Sequence, residues 1–291
     1  MMKNLLLTGS SGFVGSYFIN NYSNKYNINT FSFLKNHFEE LDLSSIDIVV
    51  HLSALVHQMG GASENEYEKV NVIQTLNLAK KAKNSGVKHF IFMSTVKVYG
   101  EETNIAYSEN SDCFPQDDYG KSKLKAEFEL QKLEDENFKI SIIRTPIVYG
   151  YGVKANIKNL IKLVEKIPIL PFGKIKNRRS MVYIGNLCYV IDLISEKNLN
   201  GIFLASDNQS VSTTKLIELI AKELNKKVYL IRIPLFESLL RLLKPSFQKR
   251  LYESLEIDNK MTMKKLFGNS QVLLPYSIEE GVKFMIIGEN K

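Results

Sequence analysis

The stretch Tyr119-Gly120-Lys121-Ser122-Lys123 sets a phenol and an ammonium four residues apart, so that on a helix they share one face. A lysine cation beside a tyrosine lowers the phenol's pKa, which lets it pass a proton to or from the oxygen of an alcohol or a sugar. Upstream, the apolar run Phe90-Ile91-Phe92-Met93 ends in two hydroxyl residues, Ser94 and Thr95. Such a run reads as a buried strand of a parallel sheet, and open α/β sheets bind their ligands at the carboxyl ends of the strands. A third feature is TGSSGFVG at residues 8–15, with Gly9, Gly12 and Gly15 spaced three apart. Glycines there permit a tight turn and let backbone N–H groups approach a pyrophosphate, whose charge the following helix N-terminus favours. This reads as a dinucleotide-binding loop, with Gly9, Ser11, Gly12, Phe13 and Val14 as its contacts.

Positioning these groups requires strands that alternate with helices. Strand-like runs fall at 4–7, 28–33, 46–52, 89–93 and 140–143, and helical periodicity at 13–21, 67–84 and 121–136. Alternation without hairpin signals predicts an α/β fold, a Rossmann-like doubly wound parallel sheet covered on both faces. Past Pro146 the pattern loosens. Residues 156–166 and 213–224 read as helices, 181–184 and 201–205 as strands, and Pro168 and Pro171 bracket a short apolar segment. The expected organisation is a dinucleotide-binding domain over 1–146, to which 181–205 returns, with 147–291 mainly a smaller, interleaved C-terminal substrate lobe.

The 291 residues, 44% of them hydrophobic, suffice for a large core. No run of about 18 apolar residues occurs, so membrane insertion is not expected. Leu5-Leu6-Leu7 resembles a short signal core but lacks a small-residue cleavage site, and the expected location is the cytoplasm. Two cysteines, Cys113 and Cys188, give neither metal spacing nor a disulfide framework. The formal charge of +7 comes from 38 basic residues, only six of them Arg, interspersed with 31 acidic ones. That pattern suits a small polyanion rather than nucleic acid.

Taken together, the motifs resemble the extended short-chain dehydrogenase/reductases, the nucleotide-sugar epimerase/dehydratase family. The ordered matches are TGSSGFVG (8–15), HLSA (51–54), VNVIQTLNL (70–78), STVKVYG (94–100), YGKSK (119–123), IIRTPIVYG (142–150) and RSMVYIGNL (179–187). The family places its catalytic Ser or Thr five residues before the Gly of V-Y-G, which selects Thr95 to hold the substrate oxygen beside Tyr119 and Lys123. The resemblance implies NADP(H) or NAD(H), a UDP-sugar substrate and a possible homodimer. Tyr119, Lys123, Leu52, Ser53, Ala54 and Asn71 would touch the cofactor; His51 and Asn71 read equally as core residues. Asp42, with Leu43, either approaches the adenine or caps a turn. No acidic residue ends the second strand, so Ser32 and Lys35 either receive the 2′-phosphate of NADP or are surface-loop residues. On the substrate side stand Thr95 and Val96, with Arg179 on the diphosphate, Arg178 sharing that task or lying on the surface, and Asn156 as a ligand or a helix cap.

Family dehydratases follow their Thr with Asp-Glu, where this chain has Val96 and Lys97, so dehydration is not expected. UDP-hexose 4-epimerases commonly carry an Asn after the fifth strand, where Ile147 stands. HLSALVHQM and the stretch 152–187 look like a bacterial subgroup of surface polysaccharide synthesis. The favoured reaction is reduction of the 4-keto group of a UDP-2-acetamido-2,6-dideoxyhexos-4-ulose, giving UDP-N-acetylquinovosamine or UDP-N-acetylfucosamine. The alternatives are a UDP-hexose or UDP-N-acetylhexosamine 4-epimerase with tightly bound NAD, and a non-catalytic nucleotide-binding scaffold.

Overall fold

The computed structural model of the chain describes residues 2–56, 62–270 and 273–289. His57, Gln58 and Met59 of the HLSALVHQM stretch lie outside the described residues. In chain order the strands are β1 (Lys3–Thr8), β2 (Tyr26–Phe31), β3 (Ile48–His51), β4 (His89–Thr95), β5 (Lys139–Thr145), β6 (Ile147–Tyr149), β7 (Ile169–Leu170), β8 (Met181–Tyr183), β9 (Gly201–Leu204) and β10 (Tyr229–Leu230). Six of these form one parallel sheet in the order β2-β1-β3-β4-β5-β9. Its central strands are fully buried, as apolar runs covered on both faces must be: Leu5, Leu7, Val49, Val50, Phe90, Ile91 and Phe92 are all 0% exposed. Because β1 lies between β2 and β3, the chain reverses its direction of winding there, and that switch point is where such sheets open a ligand crevice.

Helices cover both faces. On one side α1 (Phe13–Tyr22) contributes Phe18 to a large apolar cluster; on the other, α3 (Gln74–Asn84) and α4 (Asp118–Gln131) contribute Leu78, Ala82, Ala126 and Leu130 to a second. A capping box between Ser63 and Glu66 starts α2 (Glu64–Tyr67), and a π-helical segment, Glu68–Ile73, joins it to α3. The strand expected over 28–33 ends at Phe31, because Phe33 leaves the edge and packs edge-on to Phe31, with ring centroids 5.1 Å apart. Between β2 and β3 there is only a 3₁₀ turn, Phe38–Glu40; Phe33 and Phe38 cover this edge as a stacked pair. The helix expected from 121 begins at Asp118, since Asp117 caps it with Oδ1 accepting from Gly120 N at 2.7 Å. Tyr119 therefore sits in the first turn.

The later elements are α5 (Ala155–Lys166), α6 (Ile184–Lys197), α7 (Thr213–Glu223), α8 (Phe236–Leu243), α9 (Pro245–Tyr252), α10 (Lys260–Phe267) and α11 (Ile278–Ile287). Two small parallel ribbons, β6 with β8 and β7 with β10, stand apart from the main sheet. Between them in sequence, β9 pairs with β5, and Leu187, Ile191 and Ile194 of α6 join the same apolar cluster as Phe18.

Candidate active site

At the switch point the glycine loop turns tightly from β1 into α1. Gly9 has φ +71°, and a Cβ there would stand 2.8 Å from Leu52 C and Ser53 N, so only glycine lets the loop press against the end of β3. A Cβ on Gly15 would collide with the Gly9 carbonyl, which accepts from Gly12 N at 2.9 Å. Gly12 caps α1 without a side chain, leaving the N–H groups of the first turn to an external acceptor. The cradle and the uncapped helix end fit the diphosphate of a dinucleotide. Ser11 is exposed beside them, while Phe13 and Val14 pack partly into the core.

Behind the loop, Thr8 Oγ1 accepts from Ser53 N at 3.2 Å and meets His51 Nδ1 at 2.7 Å; His51 Nε2 meets Thr75 Oγ1 at 3.0 Å. Burial, then the Lys123 charge, lower the His51 pKa to about 3, so this imidazole is a neutral core strut. Ala54 follows Ser53 and is partly exposed.

Thr95 ends β4 and is 8% exposed; its Oγ1 accepts from Lys97 N at 3.3 Å, capping the 3₁₀ turn Val96–Val98. The Val96 side chain is buried with Val98, Tyr99 and Leu204, leaving its backbone for any substrate contact. On α4, burial, then the charges of Asp117 and Tyr67, raise the Tyr119 phenol, whose ring centroid is 6.2 Å from that of Tyr67. Lys123, one turn on, is 2% exposed and holds its ammonium 4.1 Å from the centre of the Phe92 ring. Burial lowers its pKa to about 7, against a smaller opposing pull from Glu127.

Three supports fix this group. Asn71, buried in the π-helical segment, bonds both ways with the Leu55 backbone (2.8 and 3.0 Å) and donates to Ser122 Oγ at 3.0 Å; Ser122 in turn donates to the Tyr119 carbonyl at 2.8 Å. Lys97, whose N–H reaches Thr95, ion-pairs through its side chain with Asp117, the cap of the Tyr119 turn, and with Glu101 at 3.3 Å. Glu127 takes Arg144 Nη2 at 2.6 Å and also the Ser94 hydroxyl, so Ser94 is engaged in the interior and Thr95 is left for the site. The Lys97 and Glu127 roles carry no sequence signal, because their partners come from other elements.

Further along the chain, Arg179 donates from Nη1 to the Glu253 carbonyl at 3.1 Å and pairs with no carboxylate among the described residues. Burial, then the charge of Arg250, lower its guanidinium pKa. Arg250 donates to Asn156 Oδ1 at 2.8 Å, so Arg179, Arg250 and Asn156 gather where the sequence pointed only to the first and third. Asn156 lies inside α5 and does not cap it; Lys154 is at the cap position. Arg178 is turned outward, ion-paired with Glu256 at 2.7 Å. Arg250 was hidden because it lies in a lysine-rich stretch without a motif.

Beyond the end of β2, Ser32 opens a turn closed by Asn36, with Lys35 exposed on it. Asp42 is exposed and accepts from Ser44 N at 2.9 Å, a turn-capping bond, and Leu43 is buried in the core.

A family model described as NAD dependent epimerase/dehydratase family matches residues 5–203. The chain belongs to that family. It is 36% identical to a UDP-glucose 4-epimerase from Vibrio cholerae, over 97% of this chain and 94% of that one. It is 29% identical to an N-acetyl-alpha-D-glucosaminyl-diphospho-ditrans,octacis-undecaprenol 4-epimerase from Escherichia coli, over 80% and 76% of the two chains. Among solved structures, a UDP-N-acetylglucosamine 4-epimerase from Methanobrevibacter ruminantium, in complex with UDP-N-acetylmuramic acid, superposes with a TM-score of 0.78. The two share 22% identity over 99% of this chain and 98% of that one, a likeness of fold. The chain is thus a member of an enzyme family with UDP-sugar 4-epimerases among its relatives.

Proposed function

We propose that this family member is a 4-epimerase of a UDP-hexose or UDP-N-acetylhexosamine. In this reading the six-stranded unit holds the dinucleotide at Gly9–Gly15 and Leu52–Ala54, and Arg179, Arg250 and Asn156 hold the sugar's diphosphate. A nicotinamide dinucleotide held there would supply the hydride acceptor and donor for C4 of the sugar. Tyr119 takes the C4 hydroxyl proton as the bond to hydrogen at C4 breaks, and gives it back when the carbonyl is reduced. Thr95 hydrogen-bonds the same oxygen in both directions. Lys123, one turn on, in its protonated form lends its charge to the phenol and so eases loss of the Tyr119 proton.

The end-to-end similarity to a UDP-glucose 4-epimerase carries this reading. The site agrees with it: Val96 is buried and Lys97 is ion-paired, so the two positions after Thr95 offer no acid–base pair for removing water. The 4-keto reduction favoured by the sequence alone uses the same three residues, and Ile147 in place of Asn still leans towards it. The epimerase is preferred because a curated relative covers nearly the whole chain.

The test is direct. The epimerase should purify with bound NAD and interconvert UDP-N-acetylglucosamine with its galacto isomer, or UDP-glucose with UDP-galactose, without added cofactor. Stoichiometric oxidation of NAD(P)H by a UDP-4-keto-6-deoxy sugar, with no isomer interconversion, would return the assignment to the reductase.

A further inference from the structure

The substrate lobe exposes an apolar surface that nothing in the fold covers. Helix α8 has a broad apolar arc, yet only its Phe236 and Leu240 edge packs on the core, while Leu239, Leu242 and Leu243 are 51%, 81% and 66% exposed. Leu235, just before the helix, sits at φ +62°, a conformation uncommon for leucine, and is 81% exposed. On the β7–β10 ribbon, from which the chain leads into α8, the register partners Ile169 and Tyr229 are also 54% and 52% exposed. An arc of this width normally faces a core, and an apolar patch this extensive marks an interaction site.

Charge identifies the occupant. Residues 226–252 contain seven Lys or Arg and one acidic residue, Glu237, which is ion-paired with Arg241 at 3.1 Å. Arg232, Lys244 and Lys249 are exposed and pair with no carboxylate among the described residues. A two-fold contact with a second copy would set this positive segment against its own equivalent. No helix among the described residues is long and apolar enough to cross a membrane. A short amphipathic helix edged by cations lies in the plane of an anionic bilayer, with its leucines below the headgroups and its cations among the phosphates.

We propose that the α8 surface docks the protein peripherally on a bilayer leaflet rich in anionic phospholipid. Docking holds the lobe that carries Arg179 and Arg250 at the membrane face. The inference does not depend on which sugar reaction the site performs.

Vesicle flotation of the full chain tests it, using phosphatidylcholine alone and phosphatidylcholine with about one-third phosphatidylglycerol. Binding is expected to the anionic vesicles only, with most of it released by about 0.5 M salt. Leu242→Glu with Leu243→Glu should lower partitioning at least about tenfold, with the thermal melt and the enzymatic turnover unchanged because both side chains are exposed. The proposal fails if the wild-type chain ignores anionic vesicles, or if the double variant binds them equally well. It also fails if the wild-type chain is a dimer that the double variant splits, which would give the surface to a second copy.

Discussion

Two buried basic side chains, Lys123 on α4 and Arg144 packed against it from β5, stand in opposite circumstances. Arg144 is 4% exposed and fully partnered: Nη2 meets Glu127 Oε2 at 2.6 Å, Nε meets both carboxylate oxygens at 3.1 and 3.2 Å, and its guanidinium lies 4.7 Å from the centre of the Tyr99 ring. Burial works against that charge, but the Glu127 hydrogen bonds and charge outweigh it and raise the pKa. Lys123 is as deeply buried and has only the Phe92 ring; no carboxylate is ion-paired with it among the described residues. A partnered charge fixes three elements to one another. An unpartnered one, held at a cost in stability, is available to whatever enters the site.

Replacing Lys123 by Met gives the largest effect and separates the two roles. Turnover should fall by about two to four orders of magnitude, since Tyr119 loses the charge that lets its raised phenol release a proton. Stability should rise by about 2 to 4 kcal/mol at neutral pH, because the folded state no longer buries an amine whose pKa is displaced to about 7 from 10.5. The sign follows from proton uptake: between those two values the unfolded chain holds the proton and the folded chain does not, so wild-type stability increases with pH across that window. Melting curves from pH 6 to 10 should show this rise in the wild-type chain relative to Lys123→Met. A variant as labile as the wild type at every pH would mean that Lys123 has a polar partner in solution.

Arg144 predicts the opposite sign. Glu127→Ala leaves a guanidinium buried without its carboxylate, and denaturant unfolding should show a loss of about 3 to 5 kcal/mol. Replacing both Glu127 and Arg144 by apolar residues should recover much of that loss. If the single and double variants were equally destabilised, the ion pair would not be the source of the effect.

The same contrast extends to Arg179, which also lacks a carboxylate among the described residues and is lowered by burial and by Arg250. Arg179→Ala or Arg250→Ala should each weaken UDP affinity by about 1.5 to 3 kcal/mol, with dinucleotide affinity unchanged. Calorimetry that found either variant wild-type-like towards UDP would remove that arginine from the diphosphate site.

The two regions differ in how far the sequence displays them. Gly9, Thr95, Tyr119 and Lys123 were legible because each stands at a fixed offset within one strand-to-helix unit. The sheet was legible because buried parallel strands read as apolar runs. The edge strand β2 was displaced by two residues because Phe33 is as apolar in its loop packing as it would be in a strand. Arg250, Glu127 and Lys97 were not legible as parts of the candidate site, since what defines each is a partner from another element. Arg250 meets Asn156 across 94 positions of sequence.

The smallest predicted effect comes from two adjacent hydroxyls that divide between these roles. Ser94 donates to Glu127 and belongs to the Arg144 network, whereas among the described residues the Thr95 hydroxyl is bonded only to the Lys97 N–H, at 3.3 Å, and remains able to donate. Ser94→Ala removes one of several bonds to a carboxylate that keeps its arginine, so it should cost about 1 kcal/mol of stability. Its turnover should stay within about twofold of wild type. Thr95→Val keeps the shape of the strand end and removes the donor to the substrate oxygen, so it should reduce turnover by about ten- to a hundredfold at nearly unchanged stability. Steady-state kinetics and melts on the two variants should therefore give crossed outcomes. If Ser94→Ala were the slower enzyme, the strand would present its hydroxyls in the other order, and Thr95 would lose its place beside Tyr119.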